Sequence, residues 1–596
     1  MDKPTSWLPT TRPETEICRI ARSRQRTVAH TKVFVVLAFA GDYIRGTMRA
    51  FLPLFALTLA ASVVTISTAQ NTATAPAHNP VLFPGIGTLH HPTSTRSQEA
   101  QQFFDQGLRL VYAFNHEEAN RSFQHALQLD PKLAMAWWGI AVAVGPNYNL
   151  PVDADREKIA ANAVQHALDL SHSATPVEQD YIKAIATRFS STPNPDYSQL
   201  NLAYSRAMRT LARKYPDDLD AFTLFADSLM NLRPWRLWNS DGTPAEGTQE
   251  IIATLESVLR RDPNHIGAMH LYLHAVEASP NPERALSYAN SIATLAPGAG
   301  HLVHMPSHIY MRTGNYDGAR AQNAAAAHVD EQYIAATGAQ GVYPLMYYSH
   351  NLHFLAIAAA TQGRCGDAVE AAQRLTANVQ PAVKEMPMLE AFLGIRYAIA
   401  VRCRRWDDLL SLQPPSAKTP ALRAFWLYGH GCALAARSQL TQAEAEEKEL
   451  ASVVKATPRD EIFLPPVENH SWQIFHIADD LLAARIAIAR GNKPAAIALL
   501  RDAVTNQDQL LYDEPPDWYY DTRETLGGVL IESRDAVGAE QVFRESLSRN
   551  PRNPRSLFGL SESLKRQGRD YEAAWVQKQF ETSWQGADVS LTMNDL

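Results

Sequence analysis

The 596-residue sequence lacks the signatures of several common enzyme classes. It has no P-loop signature, no GxSxG turn around a nucleophilic serine and no paired CxxC. These absences leave nucleophilic catalysis by serine or cysteine unsupported. The chain also has few stretches in which apolar and polar residues alternate as they do along a β-strand, which argues against a sheet-based fold.

Charge is neither abundant nor strongly one-sided. Charged residues make up 20% of the chain and the net charge is −7, which disfavours nucleic acid as the main partner. Glycine and proline do not gather into a long low-complexity tract, and 46% of the residues are hydrophobic, as in an ordinary soluble protein. The length is too great for one compact core and indicates several domains or a repeat array.

An apolar run of signal-peptide length lies near the N-terminus. Residues 51–64 (FLPLFALTLAASVV) follow Met48 and a basic residue and precede small residues, the pattern of a secretory signal peptide. The run is too short for a comfortable membrane span. We therefore predict that the chain starts at Met48, that residues 1–70 are a doubtful upstream extension plus signal peptide, and that residues 71–99 are an extended linker. The mature protein would be periplasmic or secreted, without a membrane span; the alternative is a cytoplasmic extension or a membrane anchor.

From residue 100 onward, apolar residues recur at spacings of three and four, which is typical of amphipathic helices. The stretch FDQGLRLVYAFNHEEANRSFQHALQLDP carries Gly107, Ala119, Phe123, Ala126 and Pro131 at fixed positions of a 34-residue unit. The pattern recurs clearly or weakly in further units, which begin at Leu219, Ile266, Gly300, Ser349, Leu389, Ala424, Ile477, Tyr520 and Pro554.

This pattern resembles the tetratricopeptide repeat family, in which each unit is a pair of antiparallel helices, A and B. One helix pair cannot bury its apolar face alone, so neighbouring pairs stack into a superhelix. The resemblance implies an all-α, tetratricopeptide-like superhelix with an N-terminal part over residues 100–360 and a C-terminal part over residues 361–581. Residues 582–596 would form a tail, and residues 145–200 and 451–476 fit the pattern poorly.

The same register places several features outside the helices. Cys365 and Cys403 fall at neighbouring turns, so a disulfide between them is compatible with an exported chain. Residues 231–248 and 334–348 interrupt the repeats, and long loops of this kind are usually functional or disordered. We interpret the first loop, with its two tryptophans, as a lid or wall beside the groove; the alternative is a packed structural loop.

Histidines concentrate on one face of three consecutive units. The resemblance implies that positions 2, 5, 9 and 12 of helix A line the concave face, where such proteins bind ligands. In the units from Ile266, Gly300 and Ser349 these positions carry seven histidines, including those of HLVHMPSHIY. The histidines are His270, His274, His301, His304, His308, His350 and His353, and the same face adds Glu277, Asp220 and Asp227.

Imidazoles at such spacings predict a metal site. Residues three and four apart share one face of a helix, and adjacent helices pack about 8–10 Å apart, so rings from several helices can converge. Imidazole with a nearby carboxylate suits zinc, iron, manganese or copper. We therefore predict that the seven histidines bind a transition-metal ion, with Glu277 and Asp227 as ligand, general base or partner of a ligand. The ligands suffice for two ions.

Three functional hypotheses follow from this face. The first is a metal-dependent hydrolase or oxidoreductase that acts on a small molecule or peptide in the groove. The second is a metal-free periplasmic scaffold that binds a peptide or a protein, which fold-level analogy favours. In the third, each histidine is a core residue bonded to a backbone carbonyl, although so many buried rings would each need a partner. The density of histidines favours the first hypothesis.

Overall fold

The structure is a computed structural model that describes residues 80–190, 192, 195–416 and 418–596. The predicted signal peptide and residues 71–79 of the predicted linker lie outside the described residues. Within the described part the chain is helical, with three isolated β-bridges and no β-strand. The predicted all-α, tetratricopeptide-like superhelix is confirmed. None of the described helices combines the length and apolar character that crossing a bilayer requires.

The helices follow one another as antiparallel pairs. The first part consists of α1 (Gln98–Tyr112), α2 (His116–Leu129), α3 (Ala134–Val144), α4 (Ala154–Leu170), α5 (Pro176–Ile185), α6 (Tyr197–Lys214), α7 (Leu219–Met230) and α8 (Thr248–Arg261). The middle part consists of α9 (Ile266–Glu277), α10 (Leu286–Leu295), α11 (Gly300–His304), α12 (Pro306–Thr313), α13 (Tyr316–Thr337), α14 (Ser349–Thr361) and α15 (Cys365–Val379).

The last part continues the same arrangement. It consists of α16 (Glu390–Leu393), α17 (Ile395–Arg402), α18 (Trp406–Ser411), α19 (Pro420–Ala436), α20 (Leu440–Ala456), α21 (Ser471–Ala489), α22 (Lys493–Asp508), α23 (Arg523–Glu532), α24 (Ala536–Arg549), α25 (Pro554–Arg566) and α26 (Asp570–Ser583). A π-helix covers Tyr343–Tyr348. Short 3₁₀ helices cover Ser171–Ser173, Pro282–Ala285, Gln380–Ala382, Pro387–Leu389 and Met593–Asp595.

Glycine at helix A and phenylalanine at helix B explain why the pairs approach so closely. The ring of Phe123 on α2 fills the space beside Gly107 on α1 and Gly139 on α3. A side-chain carbon at either glycine would lie 2.5 Å from that ring. Phe543 lies in the same way against Gly527 and Gly559, where the corresponding distances are 2.4 and 2.1 Å. Helices without a side chain at this point can therefore pack to interior density around one aromatic ring.

Helices α11 and α12 together form one helix A. Pro306, the first residue of α12, has no backbone N–H and so interrupts the hydrogen-bond ladder. Met305 keeps helical dihedral angles, with φ −52° and ψ −34°, so the chain direction continues through the break. The histidines of HLVHMPSHIY are consequently divided between the two short helices but remain on one side.

The superhelix is tightly wound, so its first helix pair returns to the middle of the chain. Helix α1 packs against α9 as well as against its neighbours in sequence. The Tyr333 hydroxyl on α13 donates to the Glu118 carboxylate on α2, and the backbone N–H of Val342 donates to Glu117. This closure turns helices α9, α11, α12 and α14 toward an enclosed interior.

Residues 80–97 precede the first helix in a largely extended conformation and are bonded to the superhelix. The Nδ1 atom of His91 lies 2.8 Å from Oδ2 of Asp220, whose other oxygen accepts a hydrogen bond from the Tyr112 hydroxyl. The backbone N–H of Ser94 donates to Glu178. Asp220, expected on the concave face from its register, thus holds this N-terminal segment in place.

The disulfide allowed by the repeat register is present. Cys365, the first residue of α15, is bonded to Cys403, which follows α17. Cys432 is a free, buried thiol. The bond joins the turns of two successive helix pairs and so fixes their spacing.

Candidate metal centre

Six of the seven predicted histidines meet inside the superhelix, in two groups of three. Within each group, one nitrogen from each residue lies within 4.8 Å of the others. The first triad comprises His270 and His274 of α9 and His301 of α11. The second triad comprises His304 of α11, His308 of α12 and His350 of α14.

Hydrogen bonds orient the rings of the first triad. Nδ1 of His270 lies 2.6 Å from the backbone carbonyl oxygen of Tyr112, and Nδ1 of His274 lies 2.8 Å from Oε1 of Glu277. Because these oxygens are acceptors, each Nδ1 carries the proton and each Nε2 presents a lone pair. Nε2 of His274 is buried without a hydrogen-bond partner. Nε2 of His301 lies 3.1 Å from Nε2 of His270.

The second triad shows the same orientation with different partners. Nδ1 of His304 lies 2.6 Å from Oδ1 of Asn323, and Nδ1 of His308 lies 2.5 Å from Oε2 of Glu277. The Asn323 amide nitrogen donates to the Ser307 hydroxyl and the Ala319 carbonyl, which fixes the amide oxygen as the acceptor from His304. The contact with the carboxylate favours a proton on Nδ1 of His308. With that tautomer, the Nε2 atoms of His304 and His308 face each other with their lone pairs.

These two lone pairs are only 2.9 Å apart. Lone pairs at that distance repel unless a cation lies between or beside them. Two nitrogens that bind one ion at about 2.0–2.1 Å stand roughly 2.9–3.4 Å apart. The separation in the second triad falls within this range. That of His270 and His301 in the first triad does so as well, and it is also the length of an ordinary N–H···N hydrogen bond.

Glu277 connects the two triads. Its two carboxylate oxygens contact one ring from each triad, His274 and His308. Burial alone would raise the pKa of Glu277, but the rings of His308 and His274 lower it, to about 2. A carboxylate that holds the Nδ1 proton of a histidine fixes the direction of Nε2, which is the usual support for a metal ligand. The triads adjoin, with ring centroids of His274 and His308 5.2 Å apart.

Burial also keeps four rings of the two triads unprotonated. Removal from water, together with the neighbouring rings, holds the pKa well below its ordinary value at His270, His301, His304 and His350. Metal ions bind the neutral form of imidazole. These four rings are therefore in the ligand form at neutral pH.

Two predicted site residues lie outside the triads. The ring of His353 on α14 packs between Phe392 and Tyr519, with ring centroids 5.6 and 5.4 Å away. Asp227 on α7 is half-buried near Arg188, and desolvation raises its pKa to about 6. Of the two predicted carboxylates, Glu277 is the one that contacts the histidines.

Several residues of the centre carried no signal in the sequence. The Tyr112 carbonyl comes from α1, and Asn323 comes from the B helix α13. Phe114 has a positive φ of 54°, and its ring lies 4.3 Å from His270 and 5.4 Å from His301, measured between centroids. No local pattern distinguishes these residues, since their roles depend on the closure of the superhelix.

A cavity of about 300 Å³ lies beside the triads. His274, His301 and His350 line it together with His353. The remaining walls come from segments that interrupt the repeat pattern. They include residues 149–151, Trp235, Val342, Met346 and Tyr347, then Met386, Met388 and Phe392, then residues 464–466 and 513–515.

The loop over residues 231–248 both lines the cavity and packs against α9. Trp235 lines the cavity, its indole N–H donates to Oδ1 of Asn149, and its ring stacks on Tyr148. The indole N–H of Trp238 donates to the Ala275 carbonyl on α9. The first tryptophan thus faces the cavity, whereas the second attaches the loop to the helix that carries the first triad.

Comparison with known proteins found similarity only among solved structures. The sequence matches no protein-family model and no curated protein. Structures similar to this chain include the APC/C hetero-tetramer Cut9-Hcn1, with 15% identity over 79% of this chain and 78% of that chain and a TM-score of 0.29. The human IFIT1 dimer with m7Gppp-AAAA has 12% identity over 82% and 91%, with a TM-score of 0.33. Yeast Tom70 has 12% identity over 81% and 90%, with a TM-score of 0.27.

Such distant likenesses give no information about the histidines or their ligand. What the chain's own helix pairs establish is a tetratricopeptide-like superhelix that encloses two adjoining histidine triads.

Proposed function

We propose that the protein binds two transition-metal ions, one in each histidine triad, and catalyses a reaction of a small molecule in the adjoining cavity. The observation that carries the proposal is the distance of 2.9 Å between Nε2 of His304 and Nε2 of His308, which brings two lone pairs together when both Nδ1 atoms carry the proton. The described side chains supply no cation between them. A metal ion removes the repulsion and turns both atoms into ligands.

A shared proton is the competing explanation for this contact. It would create a buried imidazolium, which desolvation disfavours, and it would engage only two of the three rings. A metal ion accounts for all three nitrogens of the second triad. It also accounts for the same convergence in the first triad, where Nε2 of His274 has no hydrogen-bond partner. The metal explanation therefore covers more of the structure.

The donor set narrows the choice of metal. Each triad offers three neutral nitrogens, and imidazole donors suit zinc, copper and iron, whereas manganese prefers oxygen. Three protein ligands leave a coordination position open, as in catalytic rather than structural sites. A bound ion would supply either an activated water for hydrolysis or a redox centre for oxidation. The chain itself supplies ring orientation through Glu277 and Asn323 and limits water through the aromatic cavity walls.

The cavity favours a small molecule over a peptide. Its volume of about 300 Å³ is at the lower end of small-molecule sites, and the triads lie among buried residues rather than along an open groove. The metal-free peptide scaffold would leave the facing lone pairs of the second triad without a function. A separate protein partner on the outer surface is compatible with this proposal.

Export is part of the proposal. A disulfide between Cys365 and Cys403 persists in the periplasm or outside the cell, and is rare in a reducing cytosol. It supports the location that the apolar run at residues 51–64 predicts. In that location the protein would take up its metal ions after secretion or in the periplasm.

Elemental analysis tests the proposal. Protein purified without a histidine tag or chelator should contain about two equivalents of a transition metal, one per triad. The variant His304→Ala/His308→Ala should lose about half of it and keep its helical circular dichroism. The control His172→Ala/His328→Ala changes two exposed histidines and should keep all the metal. The proposal is wrong if the first variant retains wild-type metal, or if the wild type takes up no zinc, copper or iron.

A further inference from the structure

We infer that the cavity beside the triads takes an apolar molecule that carries one positively charged amine, and that Asp513 and Glu514 accept the ammonium group. This inference rests on the proposed function, because it names the substrate class of the same site. It draws on side chains that the metal centre itself does not use.

Asp513 and Glu514 belong to the long connection between α22 and α23, and both line the cavity. Glu514 is only 6% exposed, and its Oε2 atom is buried without a hydrogen-bond partner. A buried carboxylate oxygen without a donor is costly, because nothing replaces the water that it has lost. An ammonium group in the cavity would supply the missing donor once the Glu514 side chain turns this oxygen toward it.

The charge of the lining points to a cationic ligand. The described residues that line the cavity include these two acids and no lysine or arginine. The nearby cation is Arg312, whose Nε donates to the Glu277 carbonyl and whose guanidinium lies over the Tyr512 ring. Because Arg312 is held there and does not line the cavity, an anionic ligand in the metal-free protein would meet two carboxyl groups without a compensating charge.

Burial changes the pKa of these two acids. It raises the pKa of Glu514 to about 7 and the pKa of Asp513 well above its ordinary value. Behind them, Asp517 accepts a hydrogen bond from the Asn469 amide, and burial raises its pKa to about 7 as well. The chain therefore gathers three acids whose charged form burial disfavours, and a cationic ligand would stabilise that form.

The other walls fit the apolar part of such a molecule. Trp235, Tyr347 and Phe392 offer aromatic faces, which attract cations as well as apolar groups. Met386 and Met388 add flexible thioether side chains that adapt to a ligand's outline. The available volume suits one aromatic ring with a short alkylamine chain.

Calorimetric titration with three matched probes tests the inference. The probes are 3-phenylpropylamine, 3-phenylpropanol and 3-phenylpropionate, which share the ring and differ in charge. They are titrated first into chelator-treated, metal-free protein, so that no probe is bound through a metal ion. We expect the amine to bind at least about tenfold more tightly than the alcohol, and the carboxylate to bind most weakly.

Variants identify the residues responsible. Asp513→Asn/Glu514→Gln should lower the affinity for the amine about tenfold or more and leave the alcohol unchanged. Glu514→Gln alone serves if the double variant fails to fold, and Asp570→Asn, at an exposed acid, is the matched control. The inference is overturned if none of the probes binds, if the carboxylate binds as well as the amine, or if the amine preference survives the substitutions.

The outcome is separable from that of the metal proposal. If the protein binds the amine selectively but takes up no metal, the ligand class inferred for the cavity stands and the proposed metal centre is wrong. Two bound metal ions in a protein without amine preference would do the reverse.

Discussion

The middle and the C-terminal part of the superhelix bury polar groups in different ways. In the C-terminal part, Arg402 and Glu524 form an ion pair 2.5 Å long, with side chains only 5% and 4% exposed. The Asn553 amide donates to the same carboxylate, and the Arg402 guanidinium lies over the Tyr520 ring. In the middle part, the inward rings of the second triad present lone pairs to each other.

The two regions use equivalent places in the repeat. Glu524 and His304 both fall at position 5 of their predicted helix A. The superhelix thus determines where inward polar groups meet. The residue types determine whether those groups balance one another or need a further partner. Opposite charges balance each other within the chain, whereas the proposed function completes a cluster of neutral imidazoles with an ion from outside.

The largest expected effect lies at the C-terminal pair. Arg402→Met should lower the free energy of unfolding by about 3–5 kcal/mol, because it leaves the Glu524 carboxylate buried without its partner. Urea denaturation measures the change. Arg437→Met is the control, since its ion pair with Asp407 is 46% and 82% exposed and should contribute less than about 1 kcal/mol.

A second variant sharpens this result. Arg402→Met/Glu524→Leu removes both charges and should recover most of the lost stability. If Arg402→Met is no more destabilising than Arg437→Met, the charge of Arg402 does not offset the cost of burying the Glu524 carboxylate.

A smaller effect is expected at the carboxylate between the triads. Glu277→Gln should weaken metal binding about ten- to a hundredfold, or roughly 1.4–2.8 kcal/mol. The amide can accept a hydrogen from one ring, but its NH₂ group then faces the Nδ1 proton of the other. Competition with a chelating dye measures the affinity.

The matched control for this variant is Asp227→Asn, at the other carboxylate predicted from the sequence. It should leave metal affinity unchanged, because Asp227 lies near Arg188 and outside both triads. A loss of metal affinity in Asp227→Asn would restore the role predicted from its register.

The smallest effect concerns pH. A depressed pKa means that the folded rings bind few protons until the pH falls well below 6.5, so protons should not compete with the metal above about pH 6. We expect metal affinity to change less than about threefold between pH 8 and pH 6. The isolated peptide HLVHMPSHIY, with ordinary histidine pKa values, should lose affinity steadily below pH 7. A parallel fall in the whole protein would contradict the protecting effect of burial.

The repeat register located the helices that carry the site. The predicted units at Ile266, Gly300 and Ser349 begin where α9, α11 and α14 begin. This succeeds because the period of the repeat fixes the phase of each helix, and the phase fixes which residues face inward. The convergence of six histidines was therefore predictable from the repeat register together with the concave positions that the family resemblance implies.

The division of the six histidines into two triads could not be predicted from the sequence. Residues three apart lie one turn along the helix, so His301 and His304 fall in different triads. For the same reason His353, three residues after His350, lies outside the second triad, and its ring contacts Phe392. Contacts between distant segments were also beyond the reach of local pattern, as with the Tyr112 carbonyl that bonds His270 from 158 positions away.

The return of the first helix pair to the middle of the chain has a consequence for how the protein folds. In an open solenoid each repeat contacts only its neighbours, and folding can begin at any repeat and spread along the array. Here the orientation of His270 depends on α1, and Glu118 on α2 accepts a hydrogen bond from Tyr333 across 215 positions of sequence. Contacts of such sequence separation slow folding, because a long loop must close before they form. During synthesis the first helices would therefore lack these contacts until the middle of the chain has formed, and the two triads would assemble late and together.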